Sequence, residues 1–85
     1  MHGEFCVDHC YDAIGLGQLI TGQVTEGEIV EGAIGRTSKG ERFTVVKIEQ
    51  HGDRKRSALK KDKVNLYVKY VNKSKVRKGD IMHFD

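Results

Sequence analysis

The chain has 85 residues, of which 38% are hydrophobic and 32% charged, and its formal net charge is +3 at pH 7. This length allows one domain with a modest core and leaves little room for a deep catalytic cleft. No apolar run approaches the roughly 20 residues of a membrane helix, and no N-terminal signal peptide is visible, so we expect a cytoplasmic protein that does not bind membranes.

Glycine positions and β-prone runs determine the predicted secondary structure. Ten glycines and no prolines separate runs rich in Val, Ile, Thr, Phe and Tyr, a pattern typical of an all-β barrel or sandwich. We predict a disordered tail over residues 1–4 and one β-barrel domain over residues 5–85. Its six strands are expected at 5–12, 18–25, 33–37, 42–51, 64–71 and 81–84, with a short extended piece at 28–30.

The predicted connections follow the glycines and the polar runs. Loops are expected at 15–17 and 38–41, turns at 26–27 and 72–75, a polar loop at 52–61 and one short helical turn at 76–78. Gly22, inside the second strand, indicates a bulge or a close approach of another part of the chain. In the fifth strand, apolar residues alternate with Asn65, Tyr67 and Lys69, which predicts that these three side chains share the polar face.

Two cysteines lie close together near the N-terminus. Cys6 and Cys10, with His2 and His9 nearby, have to be considered as a metal site or a disulfide. In a strand, four residues span about 13 Å, whereas a disulfide requires Cα atoms within about 7 Å. A strand also places His9 and Cys10 on opposite faces, which prevents shared ligation. We therefore predict free thiols and no metal. The alternative, a metal or redox module formed by these residues, is one of three functional hypotheses, and the other two are given below.

Sequence patterns for phosphate-loop binding and for catalysis are incomplete. Gly35 and Gly40 have the spacing of a phosphate loop, but Glu41 stands where that motif requires a lysine. The histidines are scattered over different predicted strands, and nothing marks a nucleophile with an adjacent base. We predict a protein that is not an enzyme and that requires no cofactor.

Charge is distributed unevenly along the chain. Residues 1–41 carry two basic and seven acidic side chains, whereas residues 42–85 carry thirteen basic and five acidic ones. A basic segment of this kind suits an anionic partner, and RNA is the leading candidate. The alternative is a solvated lysine-rich surface that only confers solubility.

A glycine-rich block in the first half of the chain carries a family resemblance. The stretch from Ile14 to Gly32 reads IGLGQLITGQVTEGEIVEG, and it resembles the second domain of the elongation factor Tu family. The matching positions are Ile14, Gly15, Gly17, Ile20, Thr21, Gly22, Val24, Gly27, Ile29 and Gly32. Segments 46–51 and 76–81 resemble later parts of the same domain. The resemblance implies a closed Greek-key β-barrel of six or more strands.

The same resemblance implies partners. In complete factors this domain contacts the ribosome, and in elongation factor Tu it contacts the acceptor end of aminoacyl-tRNA. Glu49 and His51 fall where that factor lines its pocket for the terminal adenosine. The chain departs from the family at residues 60–63, where a glycine is missing, and no pattern of a GTP-binding domain occurs in these 85 residues.

Two further functional hypotheses follow. The first is a non-catalytic barrel that binds RNA or a ribonucleoprotein, such as the ribosome or tRNA, through its basic residues, with Tyr67 stacking on a base. The predicted RNA-binding residues are Arg54, Lys55, Arg56, Lys60, Lys61, Lys63, Tyr67, Lys69, Lys73, Lys75, Arg77 and Lys78. The second is a protein-interaction module that docks through a sheet edge or through the acidic half around Glu26, Glu28 and Glu31.

Overall fold

The computed structural model describes residues 2–13, 17–70 and 76–85. These residues form the strands β1 (Gly3–Ala13), β2 (Gly17–Val30), β3 (Ile34–Thr37), β4 (Arg42–Gln50), β5 (Asp53–Lys55), β6 (Ser57–Leu59), β7 (Lys63–Tyr70) and β8 (Ile81–Phe84). The predicted loop around Gly15 and the predicted turn at 72–75 lie outside the described residues. In the described part of the chain, no helix is long and apolar enough to cross a membrane.

Six of the described strands form a closed antiparallel barrel. Their order is β1–β8–β3–β4–β7–β2, and the pairing of β2 with β1 completes the ring. The two short strands lie outside the ring, because β5 pairs with the end of β4 and β6 pairs with the end of β2. The all-β closed barrel predicted from the sequence is confirmed.

The core lies inside the barrel and is built from alternate residues of the ring strands. Phe5 and Phe43 are fully enclosed, and the rings of Phe43 and Phe84 meet edge to face with their centroids 5.6 Å apart. β7 shows the predicted alternation, with buried apolar residues on one face and Tyr67 and Lys69 on the other. Removal of this apolar surface from water is the main driving force for folding.

A β-bulge in β1 changes which residues face the core. The register of β1 against β2 shifts between Val7 and His9, so Asp8 is the extra residue. The shift allows Cys10 to pack against the core while His9 is exposed. Strict alternation from Val7 would instead turn His9 inward. The prediction that His9 and Cys10 face opposite sides of the strand agrees with the structure.

Gly22 lies where β2 and β1 approach each other closely. A Cβ atom at this position would collide with the carbonyl oxygen of Cys6 and would lie 2.7 Å from the ring of Phe5. The close approach predicted at Gly22 is therefore present, and the bulge itself lies on the partner strand.

β1 begins earlier and β2 ends later than predicted. Gly3 and Glu4, expected in a disordered tail, pair with Gly27 and Glu26 of β2 and also with β8. The tail prediction is wrong for these two residues. The predicted turn at 26–27 is also wrong, because β2 continues through it over 14 residues. Gly27 has a φ of 64°, a backbone conformation that glycine adopts at little cost.

The segment predicted as a polar loop contains β5 and β6. His51 and Gly52 have φ values of 54° and 83°, the positive values of a tight two-residue turn that reverses the chain directly after β4. The predicted helical turn at 76–78 is wrong. That segment is not helical, and the Asp80 carboxylate accepts a hydrogen bond from the backbone N–H of Arg77 at 2.9 Å.

Replacement of Gly22 by Ala should destabilise the barrel, because the added Cβ has no space beside Phe5. We expect the free energy of unfolding to fall by roughly 1–3 kcal/mol, as in overpacked cores. Gly40→Ala serves as a comparison for backbone strain alone, because the space there is open and only the φ of 89° is unfavourable, at a cost of roughly 1–2 kcal/mol. A Gly22→Ala variant that is as stable as the wild type in urea denaturation would contradict the close approach.

Candidate nucleic-acid interface

The outer face of β2, β7 and β4 carries a row of side chains centred on Tyr67. Tyr67 pairs with Leu19 of β2 on one side and with Lys47 of β4 on the other, and all three are half-buried. Side chains paired on one face of a sheet have Cβ atoms about 4.5–5.5 Å apart, which is close enough for contact. We call the surface formed by Leu19, Lys47, Glu49 and Tyr67 the Tyr67 face.

Lys47, Glu49 and Tyr67 form a compact polar group on this face. The Lys47 ammonium lies 5.0 Å from the centroid of the Tyr67 ring and 3.3 Å from Oε2 of Glu49. Hydrogen bonds from the Tyr67 hydroxyl and from Lys47 lower the pKa of Glu49, and the bond to Glu49 raises the pKa of Tyr67. Glu49 is therefore an ionised acceptor at neutral pH, and a cation lies against the Tyr67 ring.

The sequence alternation does not predict the outward position of Lys47. Phe43 and Val45 face the core, so strict alternation would place Lys47 inside as well. The register of β4 against β7 shifts between Val45 and Lys47, and the extra residue moves Lys47 to the outside. The sequence gives one indication that Lys47 faces outward, which is the charge of its side chain, because unpaired lysines are rarely buried.

The segment around β5 is basic and exposed, but Arg54 already has an anionic partner. Its guanidinium donates two hydrogen bonds to Glu31, of 2.9 and 3.0 Å. This bidentate contact lowers the pKa of Glu31, and the charges of Arg56 and Lys47 add to the effect. Glu31, Arg54 and Arg56 line a surface depression of about 580 Å³. Glu31 thus neutralises part of the positive charge at this end of the barrel.

Several of the predicted RNA-binding cations form no salt bridge with another described residue. They are the exposed side chains Lys55, Arg56, Lys61, Lys63 and Lys69. Lys60 differs, since its ammonium lies 3.3 Å from Oε1 of Glu26. The end of β4 is fixed to the start of β7 by the Gln50 amide, which donates a 3.4 Å hydrogen bond to the carbonyl of Lys63. We call Lys55, Arg56, Lys61 and Lys63, which lie towards this end of the barrel, the first basic group.

Arg77 and Lys78, two of the other predicted basic residues, lie at the opposite end of β7. Arg77 and Lys78 follow a segment that is fixed there by a 2.9 Å hydrogen bond from the Val76 N–H to the Tyr70 hydroxyl. β7 has eight residues, which corresponds to roughly 26 Å. The predicted Lys73 and Lys75 lie outside the described residues. The described members of the predicted set therefore lie at two ends of β7, and we call Arg77 and Lys78 the second basic group.

The acidic and basic halves of the sequence do not form separate faces of the barrel. Strands from the two halves are neighbours in the ring, as with β1 and β8 or β2 and β7. Salt bridges join the halves in the pairs Glu31–Arg54, Glu26–Lys60, Arg36–Asp85 and Lys39–Asp80. The acidic surface predicted around residues 26–31 is thus partly neutralised in place. Positive charge belongs to local groups of side chains rather than to one half of the molecule.

Glu49 and His51, the two positions implied by the family resemblance, have different surroundings. Glu49 is half-buried on the Tyr67 face, whereas His51 is exposed in the turn between β4 and β5. Only Glu49 of the two takes part in the polar group around Tyr67.

Cys6 and Cys10 are free thiols on opposite faces of β1. Cys6 lies on the outside and lines a groove of about 430 Å³ together with residues of β2 and β7. Cys10 packs against the core, and burial, with a contribution from Asp80, raises its pKa to about 11. Among the described residues, no group of three or more His, Cys, Asp or Glu side chains could hold a metal ion.

The barrel is similar to part of several translation elongation factors. Translation elongation factor SelB from Methanococcus maripaludis, in its apo form, matches 98% of this chain with a TM-score of 0.87 and 19% identity over 18% of its own length. The same factor in complex with the GTP analogue GPPNHP matches 98% of the chain with a TM-score of 0.85 and 19% identity over 19% of its length. A bacterial selenocysteine-specific elongation factor, EF-Sec, matches 94% of the chain with a TM-score of 0.80 and 26% identity over 14% of its length.

The chain spans less than a fifth of the length of each of these factors. No protein-family model matches the sequence, and no curated protein is significantly similar to it. The predicted resemblance to a translation-factor β-barrel is confirmed at the level of the fold.

The burial of Cys10 and Tyr70 predicts that the barrel loses stability at alkaline pH. Burial raises the pKa of Cys10 from 9.0 to about 11 and that of Tyr70 from 10.0 to about 12. The unfolded chain therefore releases these protons at lower pH than the folded chain. This contribution to the free energy of unfolding should be fully present below about pH 9 and should be lost as the pH rises to about 12.

Denaturant unfolding at a series of pH values measures this dependence. Cys10→Ala should remove the lower part of the decline, and Tyr70→Phe should remove the upper part. A decline of unchanged shape in both variants would show that other groups cause it.

Proposed function

We propose that this chain is a non-catalytic, translation-factor-like β-barrel that binds RNA or a ribonucleoprotein in the cytoplasm through basic surface residues. The observation that carries the proposal is the first basic group, whose exposed lysines form no salt bridge with another described residue and whose Arg56 lies near the Glu31 carboxylate without forming a salt bridge with it. The outward-facing Tyr67 on β7, the strand that begins at Lys63, adds a surface for a base. The shared fold with translation elongation factors supports a role connected with translation.

Phosphate groups would bind the first basic group. Lysine and arginine contacts to phosphates release condensed counterions, so the affinity falls steeply as the salt concentration rises. Arg54 and Lys60, which were also predicted to bind RNA, would first have to exchange Glu31 and Glu26 for phosphate. We therefore assign these two residues a smaller contribution to affinity.

A nucleobase would stack on Tyr67. The Lys47 ammonium lies against the ring, so the base would take the other face of the ring or displace the lysine. Stacking on an aromatic side chain contributes about 1–3 kcal/mol per base. Glu49, ionised and on the same face, can accept a hydrogen bond from a ribose hydroxyl.

The second basic group would contact a different stretch of the same RNA or of the same ribonucleoprotein. Arg77 and Lys78 are exposed, and Lys73 and Lys75 are part of this proposal from their sequence positions. Lys69, on the outer face of β7 near its end, lies between the two basic groups along that strand.

One observation favours the alternative, a protein-interaction module. Among the described strands, β6 pairs with β2 only, and Leu59 at its end is 54% exposed. An extended segment of a partner could pair with this edge. The acidic half is a weaker docking surface, because Glu26 and Glu31 already contact Lys60 and Arg54.

Neutralisation of the first basic group should weaken RNA binding and reduce its dependence on salt. We expect Lys55→Gln/Lys61→Gln/Lys63→Gln to lower the slope of log K against log salt by about 1 for each lysine. The matched control is Lys39→Gln, which removes an exposed lysine that lies 3.0 Å from Asp80 and should change the slope little. Fluorescence anisotropy with a structured RNA at several salt concentrations gives these slopes.

Two results would decide against the proposal. The first is an absence of binding to structured RNA by the wild-type protein at about 50 mM salt, where electrostatic contacts are strong. The second is capture of a single protein partner by a pull-down that nuclease treatment does not affect, together with an unchanged salt slope in the triple variant.

A further inference from the structure

Lys47 lies on the Tyr67 face but is absent from the RNA-binding residues predicted from the sequence. Its side chain is 37% exposed, and its ammonium contacts the Tyr67 ring on one side and Oε2 of Glu49, at 3.3 Å, on the other. The register shift in β4 holds Lys47 in this position on the outside of the barrel. The ring on which a base would stack therefore already carries a cation from within the chain.

The two neighbours of Tyr67 across the sheet differ in how easily they can move. They are Leu19 of β2 and Lys47 of β4, its partners in the strand register. Leu19 is half-buried and has a short, branched side chain. Lysine has a long, flexible stem and a polar tip that can turn into water. A base that stacks on Tyr67 therefore meets less resistance on the side of Lys47.

Both contacts of the Lys47 ammonium are weak enough to change. Water reaches the ion pair with Glu49 and screens it, and an exposed cation on an aromatic ring contributes less than a stacked base does. An ammonium has three N–H donors, so Lys47 can leave the ring and still donate to Glu49. Glu49 also keeps the hydrogen bond from the Tyr67 hydroxyl. Departure of Lys47 from the ring thus leaves no charge without a partner.

A stacked base brings a phosphate to the same face. Each base of an RNA chain is joined through its ribose to the phosphate backbone, and sites for single strands combine aromatic platforms with cations along that backbone. Lysine binds phosphate as a point charge on a flexible stem. Its ammonium can therefore adapt to the position that the stacked nucleotide gives to the phosphate. Lys47 is the cation in direct contact with the Tyr67 ring.

We propose that Lys47 changes its partner when RNA binds. The base displaces the ammonium from the Tyr67 ring, and the ammonium then binds a phosphate of the same RNA segment. This inference rests on the proposed function and adds Lys47 to the residues that contact RNA. It couples the two contacts, because Lys47 leaves the ring only where a base takes its place. The face thereby favours RNA with an unpaired base over a duplex, whose bases already stack on each other.

The salt dependence of binding to two RNA hairpins tests this coupling. One hairpin has a loop of unpaired adenosines, and the other has the same loop without bases. Each lysine–phosphate contact contributes about 1 to the slope of log K against log salt. Lys47→Gln should lower the slope by about 1 for the adenosine loop and should leave it unchanged for the abasic loop. Fluorescence anisotropy at several salt concentrations gives the four slopes.

A double-variant comparison tests the role of the ring. In the Tyr67→Leu background no base can stack, so addition of Lys47→Gln should change neither slope. Lys47→Arg retains the positive charge and should keep the wild-type slopes. Lys39→Gln is the matched control, because it removes a lysine of another ion pair, 3.0 Å from Asp80, and should change the slope for neither hairpin.

Urea denaturation of each variant separates loss of binding from loss of the fold. If Lys47→Gln does not fold, the same comparison applies to Lys47→Met, which retains most of the aliphatic stem. An equal loss of slope with and without loop bases would overturn the inference, because the phosphate contact would then be independent of stacking. An unchanged slope would also overturn it, and tighter binding with that slope would show that Lys47 only blocks the ring.

The proposed function can fail separately from this inference. A wild-type protein that binds neither hairpin at about 50 mM salt overturns the proposed function, and the inference with it. Binding that is weakened in Lys55→Gln/Lys61→Gln/Lys63→Gln but has wild-type slopes in Lys47→Gln overturns the inference alone. Loss of slope in both variants, with the loss in Lys47→Gln confined to the adenosine loop, supports both.

Discussion

Closure of the barrel depends on the pairing of β1 with β2, since the other ring contacts alone would give an open sheet. That pairing contains register shifts after Glu4 and after Val7. Bulges bend a strand and increase its twist, which provides the curvature that a closed ring requires. Gly22 allows β1 and β2 to approach each other closely, because the Phe5 ring fills the space that a side chain at this position would take. Closure gives each ring strand one face inside the barrel and one face outside it.

The same irregularities determine which side chains reach the surface. The bulge in β1 turns His9 outward and Cys10 towards the core. The shift in β4 brings Lys47 beside Tyr67, where it contacts both the ring and Glu49. A face that would be mainly apolar under strict alternation thus carries a cation, a carboxylate and an aromatic ring in mutual contact. The polar side chains of the Tyr67 face therefore depend on the register shift in β4 and could not be placed from the alternation of residues alone.

The parts of the fold that could be predicted from the sequence are those that depend on residues close together in the chain. The alternation in β7 and the glycine at position 22 act over a few residues, so the strand face and the close approach could be identified directly. β5 was missed because Asp53–Lys55 has no apolar residue. The contact between Arg54 and Glu31, which are 23 residues apart, depends on strand order. Register and strand order arise from long-range pairing, so the grouping of the basic residues could not be derived from their spacing.

The bidentate contact between Glu31 and Arg54 occupies the guanidinium that was predicted to bind RNA. An incoming anion must replace a carboxylate that already makes two charge-assisted hydrogen bonds, and it gains only the difference between the two contacts. A simple carboxylate gains almost nothing by this exchange, whereas a more highly charged oxyanion does. Because the pKa of Glu31 is lowered, mild acidification does not release the arginine. In the proposed binding of RNA, Glu31 would therefore compete with phosphate for Arg54.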